Sequence, residues 1–247
     1  KVDKMFSDVF YAANKVFSES GGLFDCSIAP LSNYWGFGFE ESLSEIDSAE
    51  VLRRLKLVDY SKLQIKNDSL KLPIGMQLDY NAIAQGYAVD IVSDFLEGKR
   101  IVNYLVEIGG ELRANGTNPD SKLWLVGIDK PTEDSNFQQD FQIILGLENS
   151  SLATSGNYRK FKEIDGVKYS HTISTETGFF AKNRMLSATV IHPSCMFSDA
   201  YATTFMTMGV KTSKEFAQNH KELKVYFVYS DKNGDWKTYS SENLITD

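Results

Sequence analysis

Asp199 and Thr203 stand four residues apart in the run Phe197-Ser198-Asp199-Ala200-Tyr201-Ala202-Thr203-Thr204. On a helix that spacing puts a carboxylate and a hydroxyl on one face, about a turn apart. An oxygen-only pair suits Mg²⁺, which takes one or two protein carboxylates and fills its other positions from water and substrate phosphates. The same spacing also fits a plain helix start, with Asp199 or Ser198 as cap and Thr203 bonded back to a carbonyl.

Four further segments carry groups that could do chemistry. In Glu107-Ile108-Gly109-Gly110-Glu111 the paired glycines let backbone N–H groups come close to a phosphate or ribose. A tight bend between two strands would need them equally. The segment is not GxGxxG and no crossover helix follows it, so a Rossmann-type site has no support. Ala153-Thr154-Ser155-Gly156-Asn157 reads as a small hydroxyl-rich turn after a strand, able to offer hydroxyls and N–H donors, or as an ordinary turn. Asp79-Tyr80-Asn81-Ala82-Ile83-Ala84-Gln85-Gly86-Tyr87 opens a helix with small residues. That leaves room for an anion or metal at the helix start, or for close packing on a sheet. His171 lies in Tyr169-Ser170-His171-Thr172-Ile173, read as a strand, while His192 precedes Pro193 and His220 sits among charged residues. A histidine on a strand is either a proton acceptor or a hydrogen-bonded structural residue. Spacing defines no Ser-His-Asp triad, which is recognised only by geometry.

The elements that must position these groups follow from periodicity. Met5, Phe6, Val9, Phe10, Ala13, Val16 and Phe17 make one helical stripe over 5–17, stopped by Gly21-Gly22. A second helix is expected over 48–57, capped by Asp47 or Ser48, with Val51, Leu52 and Leu55 inward. A third begins near Tyr80, carries Ala84, Ala88, Ile91 and Phe95 on one face, and ends at Gly98. Strands are expected at Val102–Ile108, Leu123–Ile128, Phe141–Leu147, Lys168–Ile173 and Leu186–His192. Helices follow at about 197–208 and 213–219. Val225–Ser230 and Trp236–Tyr239 flank Asn233-Gly234, a hairpin signature. Strands and helices mix without strict βαβ alternation, so the expected class is α+β, mainly antiparallel sheets packed with helices. With no repeat, low-complexity tract or linker, one domain over residues 1–247 is the simpler expectation.

Composition narrows the function classes. The 247 residues carry a net charge of −7, so a basic stripe that tracks nucleic-acid phosphates is not expected. Hydrophobic residues at 42% and aromatics at 13% argue for a folded core rather than disorder. No run approaches the ~18 apolar residues of a membrane span. Lys1-Val2-Asp3-Lys4 precedes an amphipathic pattern rather than a signal-peptide core. Cys26 and Cys195 form no CxxC or Cys/His pair that would hold zinc.

Taken in order, the segments resemble the ApbE family. The resemblance rests on Asp79-x-x-Ala82-Ile83-Ala84-x-Gly86-Tyr87-Ala88-Val89-Asp90, Glu107-Ile108-Gly109-Gly110-Glu111, Ala153-Thr154-Ser155-Gly156, Ser170-His171-Thr172-Ile173 with Thr177-Gly178, and Ser198-Asp199-Ala200-x-Ala202-Thr203. Upstream, Gly22-Leu23-Phe24-Asp25, Pro30-Leu31 and Trp35-Gly36-Phe37-Gly38 resemble the family's early segment. The match is collinear from about 20 to 210. It implies an α+β, T-fold-related architecture and a Mg²⁺-dependent transfer of the FMN half of FAD to a Thr or Ser hydroxyl of a target protein, with release of AMP. Some members instead hydrolyse FAD to FMN and AMP, and a non-catalytic FAD-binding protein is a further alternative. The implied acceptor is a flavoprotein subunit of a membrane redox complex. The implied location is extracytoplasmic (periplasmic or on the outer face), often through a lipoprotein anchor on an N-terminal Cys outside this chain. The family's N-terminal Met-Gly-Thr start and Ser-rich segment are likewise not in this sequence. Carried over by position, the resemblance makes Asp199 and Thr203 metal ligands, with the Ala82 carbonyl completing the protein's share. It makes His171 and Asp199 catalytic, and places Gln85 (where the family usually has Lys), Gly109, Gly110, Glu111, Thr154, Ser155, Gly156 and His171 at the FAD.

Overall fold

In the computed structural model, which describes residues 1–38, 47–129, 141–156, 161–164, 167–170, 172–181 and 183–244, the N-terminal stripe folds as α1 (Lys4–Glu19). Asp3 caps it by accepting the Phe6 amide proton at 2.8 Å. Val9, Phe10, Ala13 and Val16 are buried. The chain leaves the helix through Gly21 and Gly22, both at positive φ. A short helix, α2 (Ala29–Trp35), follows, which periodicity did not foretell. Every one of its residues is buried, so it has no polar face to make a pattern. α3 (Ser48–Leu55) is capped by Asp47, whose carboxylate accepts the Ala49 amide at 2.8 Å. Val51 is fully buried and Leu55 packs beside it, but Leu52 points to solvent.

After the small hairpin β1 (Ile65–Lys66) and β2 (Ser69–Leu70), α4 (Ala84–Gly98) starts beyond a turn at 80–83 rather than at Tyr80. Its buried face is Gly86, Val89, Asp90 and Ser93, whereas Ala84, Ala88 and Phe95 are exposed. The expected apolar face therefore points outward. Close approach decides this: a Cβ at Gly86 would lie 2.3 Å from the Cys195 carbonyl oxygen, so only small or bonded polar groups fit between the helices.

The strands are β3 (Tyr104–Ile108), β4 (Glu111–Asn115), β5 (Trp124–Asp129), β6 (Phe141–Leu147), β7 (Ser150–Gly156), β8 (Phe161–Ile164), β9 (Val167–Ser170) and β10 (Met185–His192). Two helices follow, α5 (Cys195–Met208) and α6 (Val210–Asn219), then β11 (Lys224–Ser230) and β12 (Trp236–Ser240). Six strands form one sheet in the order β12-β11-β10-β7-β4-β3, while β5-β6 and β8-β9 pair separately. Every pairing among the described strands is antiparallel.

Two expectations change. Residues 153–156 are not a turn but the end of β7, with Thr154 opposite Thr189 and Ser155 opposite Ala188 on β10. The strand expected to run to Ile173 ends at Ser170, and Ile173 instead makes an isolated bridge to Phe180. Period two sorts the sheet's faces. Ala188, Val190, Val225 and Phe227 meet α1, α5 and α6, while Ile191, Tyr226 and Val228 meet β5 and β6. Thus α5 lies against the sheet beside α4.

Candidate functional site

α5 is the element that aims the site. Its cap residue Ser194 makes no capping bond to its own helix. The first amides are claimed from outside: Cys195 and Met196 donate to the Asp90 carboxylate at 2.9 and 3.0 Å. Asp199 is therefore not a cap but sits in the second turn, buried. Its Oδ2 accepts the Gly86 amide proton at 3.0 Å, and no described residue donates to Oδ1. Burial pushes its pKa up to about 7; the Gly86 amide works against that rise and the Glu111 charge adds to it.

The neighbours Thr203 and Thr204 divide the two readings of this helix between them. Thr204 is buried and donates to the Ala200 carbonyl at 2.7 Å. Thr203 faces the cleft, and its hydroxyl has no hydrogen-bond partner among the described residues. The Ala82 carbonyl has a related status. Gly86, four residues on, would be its helical donor but gives its N–H to Asp199, and no described group replaces it. Asp79 shapes the turn that presents Ala82, accepting from the Asn81 amide at 2.9 Å and from the Ser32 hydroxyl at 3.2 Å.

These groups border a cleft of about 1160 Å³. Ala82, Gln85, Gly109, Gly110, Glu111, Thr154, Ser155, Gly156, Asp199 and Thr203 all line it. His171 lies outside the described residues; Thr172 and Ile173, which follow it, line the cleft too. Gly109 and Gly110 form the bend between β3 and β4, at φ +64° and +111°. Gln85 secures that bend, donating to the Ile108 carbonyl at 2.8 Å and to the Glu111 carboxylate. A Cβ at Gly109 would meet the Gln85 amide nitrogen at 2.0 Å, so the glycine is needed there. Thr154 bonds the Thr189 hydroxyl at 2.8 Å across the sheet.

Asp25, which the sequence offered only as part of the Gly22-Leu23-Phe24-Asp25 motif and with no site role, and Thr207, which it did not single out, also line the cleft. Thr207 continues the four-residue spacing of Asp199 and Thr203, a signal that was present. Asp25 accepts from Ser27, two residues on, and from the Tyr60 amide, 35 residues away, a contact that spacing does not encode. His192 and His220 do not border the cleft. His192 accepts the Ser194 amide at 3.0 Å and packs edge-on to Phe197.

Charge settles what the cleft needs. Asp25, Asp79, Glu107, Glu111 and Asp199 line it, and no Lys or Arg is among the described lining residues. A diphosphate would be repelled unless a cation came with it. No three His, Cys, Asp or Glu side chains among the described residues form a metal cage. The donors available are one carboxylate oxygen of Asp199, one hydroxyl and one carbonyl, all hard oxygens. That set fits Mg²⁺, which completes its shell with water and phosphate, and does not fit a softer ion that favours thiolate or imidazole.

Comparisons with known proteins agree in order and shape. The sequence model of the ApbE family matches residues 1–227. An FAD:protein FMN transferase of Vibrio cholerae is 37% identical over 225 residues, covering 90% of this chain and 66% of the relative. One of Haemophilus influenzae is 32% identical over 235 residues, covering 93% and 67%. The chain thus spans about two thirds of the length of these curated relatives. Among solved structures, the flavin transferase ApbE from Vibrio cholerae superposes with a TM-score of 0.87 at 34% identity, covering 98% of this chain and 76% of that one. The apo form of the Pseudomonas stutzeri flavinyl transferase ApbE gives 0.84 at 32%, covering 97% and 73%.

Proposed function

The chain belongs to the ApbE family, and on that premise we propose that it is an FAD:protein FMN transferase that joins the FMN half of FAD to a Thr or Ser hydroxyl of a target protein. The observation that carries the proposal is the set of unclaimed oxygens on Asp199, Thr203 and Ala82, gathered in a cleft whose described lining holds carboxylates and no Lys or Arg. Those three groups would hold Mg²⁺, which when bound supplies the positive charge that lets a diphosphate enter and an AMP phosphate depart.

The chain's own residues then supply position. The Gly86 amide fixes the Asp199 carboxylate so that its other oxygen is left for the ion. The Gly109-Gly110 bend, held by Gln85, brings backbone close to the dinucleotide, and Thr154, Ser155 and Gly156 line the opposing strand end. The acceptor oxygen forms a bond to the FMN phosphorus as the bond from that phosphorus to the oxygen bridging to AMP breaks. AMP leaves with that oxygen, and His171 is the proposed acceptor of the hydroxyl proton. Alignment and charge neutralisation do most of the work in such a displacement. Family membership is also what supports a flavoprotein subunit of a membrane redox complex as acceptor, and an extracytoplasmic location.

The test is incubation with FAD, Mg²⁺ and a Thr-containing acceptor protein. In-gel flavin fluorescence on the acceptor together with stoichiometric AMP is expected, and both should vanish on chelation. FMN release at the same rate without acceptor would replace transfer by FAD hydrolysis, and tight FAD binding without AMP would overturn catalysis.

A further inference from the structure

α4 and α5 touch through two polar rungs. Gly86 donates to Asp199, and one turn further along α4 Asp90 accepts from Cys195 and Met196, one turn earlier on α5. The helices therefore run antiparallel with a ladder one turn long. The Asp90 end is the fully bonded one. Besides the two amides, its carboxylate accepts the Ser194 hydroxyl at 2.6 Å and the Arg113 guanidinium at 3.1 Å. Arg113 comes from β4 and also binds Asp94 at 3.0 Å and Glu97 at 3.2 Å, so three successive turns of α4 are tied to the sheet.

A cap taken from a neighbouring helix does more than satisfy amides: it fixes where the capped helix begins. A slip of α5 by one residue is about 1.5 Å of rise and 100° of rotation. That would carry the Asp199 carboxylate off the Gly86 amide and out of the cleft.

We propose that Asp90, anchored by Arg113, is a positioning residue that sets the axial register of α5 against α4 and so aims the Asp199 carboxylate at the metal. The proposal rests on the reading of the cleft as a divalent-ion site. It touches neither substrate nor ion, and it acts through Asp199.

The test uses Mn²⁺ as a paramagnetic probe, titrated into the protein with FAD present and followed by electron paramagnetic resonance. Asp90→Asn keeps the shape but loses the charge that holds the two amides and Arg113. Its Mn²⁺ affinity is expected to fall roughly 10- to 100-fold, the range for groups that orient a metal ligand. The Mg²⁺ concentration giving half-maximal AMP release should rise by the same factor, with most of the rate regained at saturation. Asp94→Asn contacts the same arginine but not α5, and should bind Mn²⁺ like the parent. Unchanged Mn²⁺ affinity in folded Asp90→Asn overturns the proposal. Should that variant fail to fold, Arg113→Gln must weaken Mn²⁺ in the same direction, and no change there overturns it equally. If the parent protein itself binds no Mn²⁺ with FAD, the metal-site reading fails first and this proposal with it.

Discussion

The first turn of α5 and the two turns after it contain the same kinds of atoms in opposite states. At the start, the Cys195 and Met196 amides and the Ser194 hydroxyl all end on one carboxylate that is itself paired with Arg113. One turn on, Asp199 has a partner for one oxygen and Thr203 has none for its hydroxyl among the described residues. Thr203 is half-buried, and both residues line the cleft, so these oxygens remain available to a ligand rather than sealed in the core. The bonded end holds the helix in place, and the unclaimed oxygens at the other end line the cleft, where the proposed ion would bind.

The sharpest way to break that contrast is at Asp199 itself. On the proposed function, Asp199→Asn is expected to reduce Mg²⁺-dependent AMP release by at least about 100-fold, because the ion would lose the one carboxylate proposed to hold it. The same variant should melt no lower than the parent without divalent ions, since the buried carboxylate has no cationic partner among the described residues to lose. A drop in both would make Asp199 structural. Gly86→Ala attacks the rung between the two ends. Its new Cβ meets the Cys195 carbonyl, and a loss of up to about 3 kcal/mol in urea unfolding is expected, with weaker Mn²⁺ binding.

The adjacent threonines give a smaller and cleaner contrast. Thr203→Ala should raise the Mg²⁺ requirement about 10-fold at unchanged Tm, as the proposed site would lose a neutral ligand. Thr204→Ala should do the reverse, costing about 1 kcal/mol of stability through its buried methyl and its bond to Ala200 while leaving the Mg²⁺ requirement alone.

The smallest effect belongs to His192, on the saturated side. Burial lowers its pKa below 6.5, although its bond with Ser194 pulls the other way. Between that lowered value and 6.5 the unfolded chain binds more protons than the folded one, so this residue's contribution to stability rises with pH through the window. It is lost as pH falls. Unfolding free energies at pH 5 and 7 should therefore differ less in His192→Gln than in the parent.

Much of this contrast could be read in the sequence, but not all. The spacing of Asp199 and Thr203 pointed to a shared helical face, and the structure puts both on the cleft. The hairpin around Asn233-Gly234 was equally plain, since its turn chemistry is local. The outward face of α4 was misread because its apolar residues obey a helical period, whereas its buried face is made of Gly86, Val89, Asp90 and Ser93. Periodicity measures hydrophobicity, and close helix packing rewards small size instead. α2 escaped for the complementary reason that it is buried all round.

By itself, then, the sequence determined the classes of element, the order of the motifs and the oxygen donors that could face one another along a single helix. Those are properties of neighbours within a few residues, where bonding and period act directly. Only the tertiary structure decided which of those oxygens stay unclaimed. That Gly86 serves Asp199 rather than Ala82, and that Asp90 begins α5, depends on groups 113 and 105 residues apart meeting with their donors already committed. Saturation is a property of the whole folded set of partners, and no local pattern carries it.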